Sequence, residues 1–156
     1  MFDTFESFIR KEVESFKYYG NFYEEGMKYI PDFFKLLCEI LDVKDISFES
    51  RIKINCALAY LVVPNDALPE DIYGAVGYMD DIFVIVCVLK ELFSKHKDAI
   101  NKLWVKTHKK SKDKDLELIL DKCYSTSKKI LESKKMVDKT LEFAGLKKIS
   151  MKGKKR

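Results

Sequence analysis

Apolar residues recur along most of this chain at intervals of three and four, the spacing of helices that each bury one face. In the first segment, Phe5, Phe8, Ile9 and Phe16 share one side, while charged residues fall mostly on the other. The same pattern continues toward the C-terminus. It predicts helical segments over residues 2–19, about 50–63, about 77–94, about 100–108 and 115–136. In the region 22–41, Pro31 suits the first turn of a helix rather than its interior, and a short last turn over residues 137–143 is expected to stop at Gly145.

The most hydrophobic run is Ile82 to Leu89, eight consecutive apolar residues. Such a run suits a buried helix or a buried strand, and periodicity alone does not separate the two. Because the residues that follow, 90–100, continue at helical spacing, we expect a helix. The predicted fold is all-α, a compact bundle of five to seven helices around a central apolar helical hairpin.

Composition agrees with a helical globular protein. Of 156 residues, 47% are hydrophobic, and only 6 are Gly and 3 are Pro, whereas turn-rich β proteins need many more of both. We predict a single helical domain over residues 1–146. The N-terminus lacks the basic segment of a secretory signal, and the four cysteines form no C-x-x-C pair. A cytoplasmic location, with membrane-peripheral attachment as an alternative, is therefore expected.

Charge divides the chain into two unlike parts. Residues 1–100 hold 11 Lys/Arg against 18 Asp/Glu, a net of −7, while residues 101–156 hold 18 against 7, a net of +11. Residues 147–156 form a basic tail that we expect to be disordered. Lysines can bind phosphate groups without sequence preference, so nucleic acid or an anionic membrane is a possible partner. The candidate residues for an anionic partner are Lys106, Lys109, Lys110, Lys147, Lys148, Lys152, Lys154, Lys155 and Arg156.

A cluster of carboxylates lies in the turn between the two apolar runs of the predicted hairpin. Its members are Asp66, Glu70, Asp71, Asp80 and Asp81. Carboxylates near apolar segments must be hydrogen-bonded, paired or metal-bound. One interpretation is that they cap helix starts, where backbone N–H groups need acceptors. The alternative is a site for Mg²⁺ or Ca²⁺ formed by Asp66, Asp80 and Asp81; no other cofactor is expected.

The same carboxylates argue against a transmembrane span. Residues 72–89 are nearly long enough to cross a bilayer, but Asp80 and Asp81 stand at the centre of that stretch. Inserting two such charges would cost about 5–7 kcal/mol. We therefore expect no transmembrane span.

The sequence of this turn resembles the motif of the YkvA-like family, a domain of unknown function. That motif reads roughly Pro-x-Asp-x-Ile-Pro-Asp, then a short apolar spacer, then Gly-Tyr-x-Asp-Asp. Its positions are matched here by Pro64, Asp66, Pro69, Glu70, Gly77, Tyr78, Asp80 and Asp81, and Asp71 follows Glu70 directly. Here Glu70 stands where Asp is commonest, and the spacer is one residue longer. The resemblance covers about residues 51–92 and implies a compact helical hairpin and, in some longer relatives, proximity to membranes.

Residues typical of catalytic sites are sparse. The two histidines, His96 and His108, have no cysteine or carboxylate at ligand spacing on the same helix face, and no phosphate-binding loop is present. The sequence predicts a non-catalytic accessory or interaction protein that binds an unknown protein partner or a second copy of itself. Whether it is an enzyme stays open, with divalent-metal-dependent activity at the acidic turn as the enzymatic alternative. Peripheral binding of an anionic membrane or nucleic acid through the basic region is the third hypothesis.

Overall fold

The computed structural model describes residues 26–62, 78–109 and 114–146, together with Ser7, Arg10 and Lys11. Every regular element in these ranges is a helix, which confirms the all-α prediction. The helices are α1 (Ile30–Ile40), α2 (Phe48–Val62), α3 (Met79–Lys95), α4 (Lys97–Thr107), α5 (Leu116–Ser133) and α6 (Val137–Phe143). The predicted segment 2–19 and the basic tail 147–156 lie outside the described residues, apart from the three residues named above.

Local sequence signals fix where α1 and α2 begin. Pro31 occupies the first turn of α1, where its missing N–H is not needed, and Asp32 follows it at the positive end of the helix dipole. Ser47 caps α2, because its hydroxyl accepts a hydrogen bond from the Ser50 N–H at 3.1 Å. Arg51 donates to the carbonyl of Val43 at 3.1 Å and so fastens the α1–α2 loop onto α2.

Helix α3 is the centre of the bundle. The run Ile82 to Leu89 is helical and almost entirely buried, which confirms the prediction of a central helix. A helix that is apolar on all sides must be surrounded on all sides. Here α1, α2, α4, α5 and α6 all pack against it, so α3 forms the axis on which the other helices are arranged.

Two pairs of contacts show that α2 and α3 form the predicted hairpin. Tyr60 near the end of α2 contacts Asp80 at the start of α3, and Lys53 in the first half of α2 contacts Glu91 near the end of α3. The two helices are therefore antiparallel. Another side of α3 is covered by α5, also antiparallel, since Phe83 stacks on the Tyr124 ring at a centroid distance of 5.8 Å and Lys90 pairs with Asp121.

Helix α4 returns along α1, and α5 and α6 close the bundle. Trp104 of α4 is fully buried and lies 6.0 Å from Phe33 between ring centroids. Asp115 caps α5, accepting a hydrogen bond from the Leu118 N–H at 3.1 Å. Helix α6 ends with Gly145 at φ 78°, as the sequence predicted, because an αL residue here lets the following amide bond back into the helix.

Candidate functional site

Asp80 and Asp81 lie side by side in the first turn of α3. Their exposed fractions are 0% and 1%, so both carboxylates are removed from bulk water. Such burial is costly for a charged group unless polar partners replace the water. The position itself supplies one favourable term, since the N-terminal end of a helix carries a partial positive charge.

The Asp80 carboxylate is bonded on both of its oxygens. The Tyr60 hydroxyl donates to Oδ2 at 2.6 Å, and the Asp81 backbone N–H donates to Oδ1 at 2.9 Å. Hydrogen bonds to a charged acceptor are shorter and stronger than those between neutral groups. The bond from Tyr60 therefore joins the end of α2 to the start of α3 inside the core.

The predicted acidic site is only partly described by the structure. Asp80 and Asp81 lie together, whereas Asp66 falls outside the described residues. In the part of the chain that the structure describes, no group of three or more His, Cys, Asp or Glu side chains could hold a metal ion. The buried pair supplies hard oxygen atoms of the kind that Mg²⁺ and Ca²⁺ prefer, and the metal hypothesis remains a prediction.

Of the other motif residues, only Tyr78 lies in the part of the chain that the structure describes. Tyr78 is half-buried and stands directly before α3 as its N-cap residue. Pro64, Pro69, Glu70, Asp71 and Gly77 lie outside the described residues. Sequence reasoning missed Tyr60, the side chain that contacts the aspartate pair, because its role depends on which face of α2 turns toward α3.

A second candidate surface is basic. Lys102, Lys106 and Lys109 are exposed and follow one another at intervals of four and three along α4 and its C-terminal end. Helical spacing places Lys102 and Lys106 on one side of α4, and Lys109 follows in the turn after the C-cap residue His108. These three lysines are here called the lysine face, and the exposed Val105 lies beside Lys106 in the chain. Lys110 and the predicted binding residues of the tail (Lys147, Lys148, Lys152, Lys154, Lys155 and Arg156) lie outside the described residues.

Among the described residues, those of the lysine face have no carboxylate partners, unlike several lysines on the neighbouring helices. On α3, α4 and α5, four other lysines form ion pairs with carboxylates at 3.0, 3.3, 3.2 and 3.8 Å: Lys90 with Asp121, Lys95 with Glu91, Lys97 with Glu117 and Lys128 with Glu132. Within the described residues, no ion pair joins a lysine-face residue to a carboxylate. The face therefore presents three unbalanced charges to the surroundings.

Three residues with shifted pKa values lie away from these surfaces. A hydrogen bond of 2.6 Å from Lys53 lowers the pKa of Glu91, and the same bond raises the pKa of Lys53. Burial raises the pKa of the Cys87 thiol to about 12. Cys87 is therefore protonated and unreactive at neutral pH, and it behaves as a small apolar residue of α3.

A group of four side chains around His108 joins the start of α1 to the end of α4. The His108 ring stacks on Trp104 at a centroid distance of 3.8 Å, and its Nε2 lies 3.5 Å from Oδ2 of Asp32. Arg10 donates to the other oxygen of Asp32 at 3.0 Å. Sequence analysis did not find this cluster, because its members are far apart along the chain.

Comparison with known proteins places the hairpin in a family. Residues 50–87 match the family described as "Protein of unknown function (DUF1232)". The "Uncharacterized protein ORF9" of Methanothermobacter thermautotrophicus is 33% identical over 122 residues, which cover 78% of this chain and 80% of the relative. The chain belongs to the DUF1232 family. The YkvA-like resemblance is thereby confirmed, since YkvA-like proteins are part of it. No solved structure matches the chain.

The DUF1232 match has a structural meaning. It begins at Ser50 in α2 and ends at Cys87 in α3, so both partners of the Tyr60–Asp80 hydrogen bond lie within it. None of the described helices is long and apolar enough to cross a membrane.

Proposed function

We propose that this DUF1232 protein is a non-catalytic interaction protein whose lysine face binds an acidic surface of a partner protein. The observation that carries the proposal is the succession of Lys102, Lys106 and Lys109 along α4 and the turn that follows it, three exposed lysines without carboxylate partners among the described residues. Charges presented in this way strengthen and steer association with an oppositely charged surface. The bundle behind them supplies a rigid support.

The buried aspartate pair takes a structural role in this proposal. Asp80 accepts from Tyr60 across the hairpin, and both aspartates lie in the turn of α3 where negative charge is favourable. The four cysteines are free thiols, as expected in a reducing compartment. We therefore propose the cytoplasm as the location of the interaction.

The test compares three lysine changes on the lysine face with three changes elsewhere. Lys102→Gln, Lys106→Gln and Lys109→Gln are combined in one variant. The matched control combines three exposed lysines away from the face, so that the net charge is the same: Lys44→Gln, Lys122→Gln and Lys129→Gln. Fluorescence titration with polyglutamate, a model acidic polypeptide, is carried out at low and high salt.

The proposal predicts that the lysine-face variant binds polyglutamate about five- to tenfold more weakly than wild type, since each lost surface charge pair contributes up to ~0.5 kcal/mol. The control variant should keep most of the affinity, and added salt should weaken wild-type binding. Equal losses in the two variants would contradict a localised binding surface. DNA and phosphatidylserine vesicles are used as parallel probes. Binding to one of these without binding to polyglutamate would mean that the partner is a nucleic acid or an anionic membrane and not an acidic protein.

A second candidate function rests on a different observation, the complete burial of two adjacent carboxylates. In this alternative Asp80 and Asp81, with Asp66, bind a divalent cation that supports an activity. Thermal unfolding with EDTA, Mg²⁺, Mn²⁺ and Ca²⁺ distinguishes it. A cation-specific rise in melting temperature that Asp81→Asn abolishes would favour the metal site over the structural role.

A further inference from the structure

One side of α2 is exposed to the surroundings and carries no charged residue. The exposed fractions of Phe48, Ile52 and Val62 are 79%, 44% and 55%, and two further exposed residues lie between Ile52 and Val62 on the same side. A helix on the surface of a protein usually turns charged residues toward water. We call this side the α2 stripe, and its members are Phe48, Ile52, Asn55, Ala59 and Val62.

The members of the α2 stripe follow one another at intervals of four, three, four and three residues. This is the spacing of the contact positions in a coiled coil, where one helix packs along another. The stripe runs the whole length of α2, which is about 22 Å at 1.5 Å per residue. The exposed side of α2 therefore has the pattern of a helix that packs against a second helix.

The α2 stripe is nearly symmetric about its central residue, Asn55. Phe48 and Val62 stand seven residues before and after it, and the next inner pair stands three before and four after it. If two copies of α2 lie antiparallel, Phe48 of one copy meets Val62 of the other, and Ile52 meets the smaller Ala59. Each of these contacts occurs twice, as a two-fold axis requires. The stripe is therefore complementary to itself.

Asn55 is the one polar member of the stripe, and in this arrangement it faces Asn55 of the second copy. A side-chain amide both donates and accepts hydrogen bonds, so two such amides can bond to each other. Within the described residues, the Asn55 side chain makes no hydrogen bond of its own. A single asparagine in an apolar seam fixes register and partner number in coiled coils. It therefore favours a second copy of α2 over a purely apolar surface.

The charges beside the stripe favour the antiparallel direction. Glu49 and Arg51 both lie in the first turn of α2. In a parallel pair each of them would lie near its own copy, and such like-charge contacts weaken association. In the antiparallel pair the two copies of Glu49 are about 18 Å apart along the helices, a distance at which salt screens their repulsion.

We propose that this protein forms a homodimer in which the α2 stripe packs antiparallel on the α2 stripe of a second copy, with Asn55 at the two-fold axis. The contact is small. A stable interface buries about 800 Å² on each partner, whereas Phe48, the largest member of the stripe, offers only about 120–200 Å². The dimer should therefore dissociate in the micromolar range, with a Kd of about 1–100 µM. This inference does not depend on the lysine face, which belongs to α4 and the turn after it.

Sedimentation velocity of the full chain, at protein concentrations of about 1–300 µM, measures the dimer. Ile52→Glu places a carboxylate in the contact twice per dimer and should raise the Kd at least about tenfold. The matched control is Leu118→Glu, at an apolar residue of α5 that is 51% exposed, and it should leave the Kd within about twofold of wild type. Because both sites are exposed, both variants should keep the wild-type circular dichroism spectrum.

Two results would overturn the proposal. One is a wild type that stays monomeric over the whole concentration range. If Ile52→Glu then abolishes binding to phosphatidylcholine vesicles, the stripe is a membrane-binding surface instead. The other is an equal rise in Kd for Ile52→Glu and Leu118→Glu, since self-association would then not be localised on α2.

Disulfide cross-linking tests the direction of the two helices. In the antiparallel pair the two copies of residue 55 lie opposite each other, close to the Cα separation of about 4.4–6.8 Å that a disulfide needs, whereas the two copies of residue 49 are about 18 Å apart. Asn55→Cys should therefore form a covalent dimer with diamide, and peptide mass spectrometry should find the bond between the two copies of residue 55. Glu49→Cys and wild type, which retains the four native cysteines, should not form one. A covalent dimer from Glu49→Cys alone, or from neither variant, would overturn the antiparallel arrangement.

Discussion

Removal of one hydroxyl group measures how much the hydrogen bond inside the DUF1232 hairpin contributes to stability. Tyr60→Phe deletes the donor that lies 2.6 Å from Oδ2 of Asp80 and leaves the ring in place. The Tyr60 residue is only 5% exposed and Asp80 is fully buried, so water cannot easily take the place of the lost donor. The free energy of unfolding should fall as a result.

The size of the loss follows from the charge of the acceptor. A hydrogen bond to a charged group contributes about 1.5–3 kcal/mol, against about 1 kcal/mol for a neutral pair. For a domain of this size, 1 kcal/mol corresponds to about 2–4 °C in melting temperature. Tyr60→Phe should therefore lower the melting temperature by roughly 3–12 °C.

Urea unfolding followed by circular dichroism provides the free energy, with the transition midpoint shifting at constant slope. Tyr124→Phe is the matched control: it removes the same atom from a half-buried tyrosine of α5 whose ring stacks on Phe83. No hydrogen bond from the Tyr124 hydroxyl is found within the described residues, and its loss should cost less than about 0.5 kcal/mol.

A double-mutant cycle with Asp80→Asn separates the pair from its surroundings. The amide still accepts a hydrogen bond but has no charge, so Tyr60→Phe should cost about 1 kcal/mol less in this background. The reasoning is refuted if Tyr60→Phe costs no more than Tyr124→Phe, or if the two changes at residues 60 and 80 are additive.

Other groups of the bundle provide further predictions. The pKa of Glu91 is lowered in the folded protein. Its ionised carboxylate therefore stabilises the fold at pH values above the ordinary pKa of glutamate, and this stabilisation is lost as the pH falls through the lowered pKa. In acid unfolding experiments, Glu91→Gln should therefore lose less stability than wild type. Iodoacetamide should modify Cys87, whose pKa is raised to about 12, far more slowly in native than in urea-unfolded protein, as measured by mass spectrometry. Lys135 has φ 56° at the end of α5, so Lys135→Gly should stabilise the protein in urea by about 0.5–1 kcal/mol, and Lys134→Gly, at φ −99°, should not.

The order and boundaries of the helices could be predicted because short-range signals determine them. Pro31 and Gly145 mark the start of α1 and the end of α6, and the prediction of a short helix over residues 137–143 agrees with the structure. The run Ile82 to Leu89 had two interpretations by periodicity alone, and its burial on all sides of α3 explains why no amphipathic pattern was visible.

Contacts between helices could not be predicted in the same way. Helix α2 carries apolar residues on both sides: Ile54 and Ala57 are buried, whereas Phe48 and Val62 are 79% and 55% exposed. Hydrophobicity therefore does not tell which side faces α3, and the partner of Asp80 could not be identified without that knowledge. The same holds for Asp32 and His108, which meet only because α4 folds back along α1.

The structural and the metal-binding interpretations of Asp80 and Asp81 predict opposite signs for the change in unfolding free energy that Asp81→Asn causes in EDTA. As a structural element, Asp81 benefits from the partial positive charge at the start of α3. Asp81→Asn should then lower the free energy of unfolding by about 0.5–2 kcal/mol, equally in EDTA and in Mg²⁺. As metal ligands, two adjacent buried carboxylates repel each other when no cation is present, so Asp81→Asn should raise stability in EDTA and remove any gain from Mg²⁺. We expect the first result, because the Tyr60 hydroxyl and the Asp81 N–H already bond both oxygens of the neighbouring Asp80 carboxylate. Urea unfolding of wild type and Asp81→Asn in the two buffers gives the sign directly. If Asp81→Asn is more stable than wild type in EDTA, the structural role is refuted and the pair is a cation site.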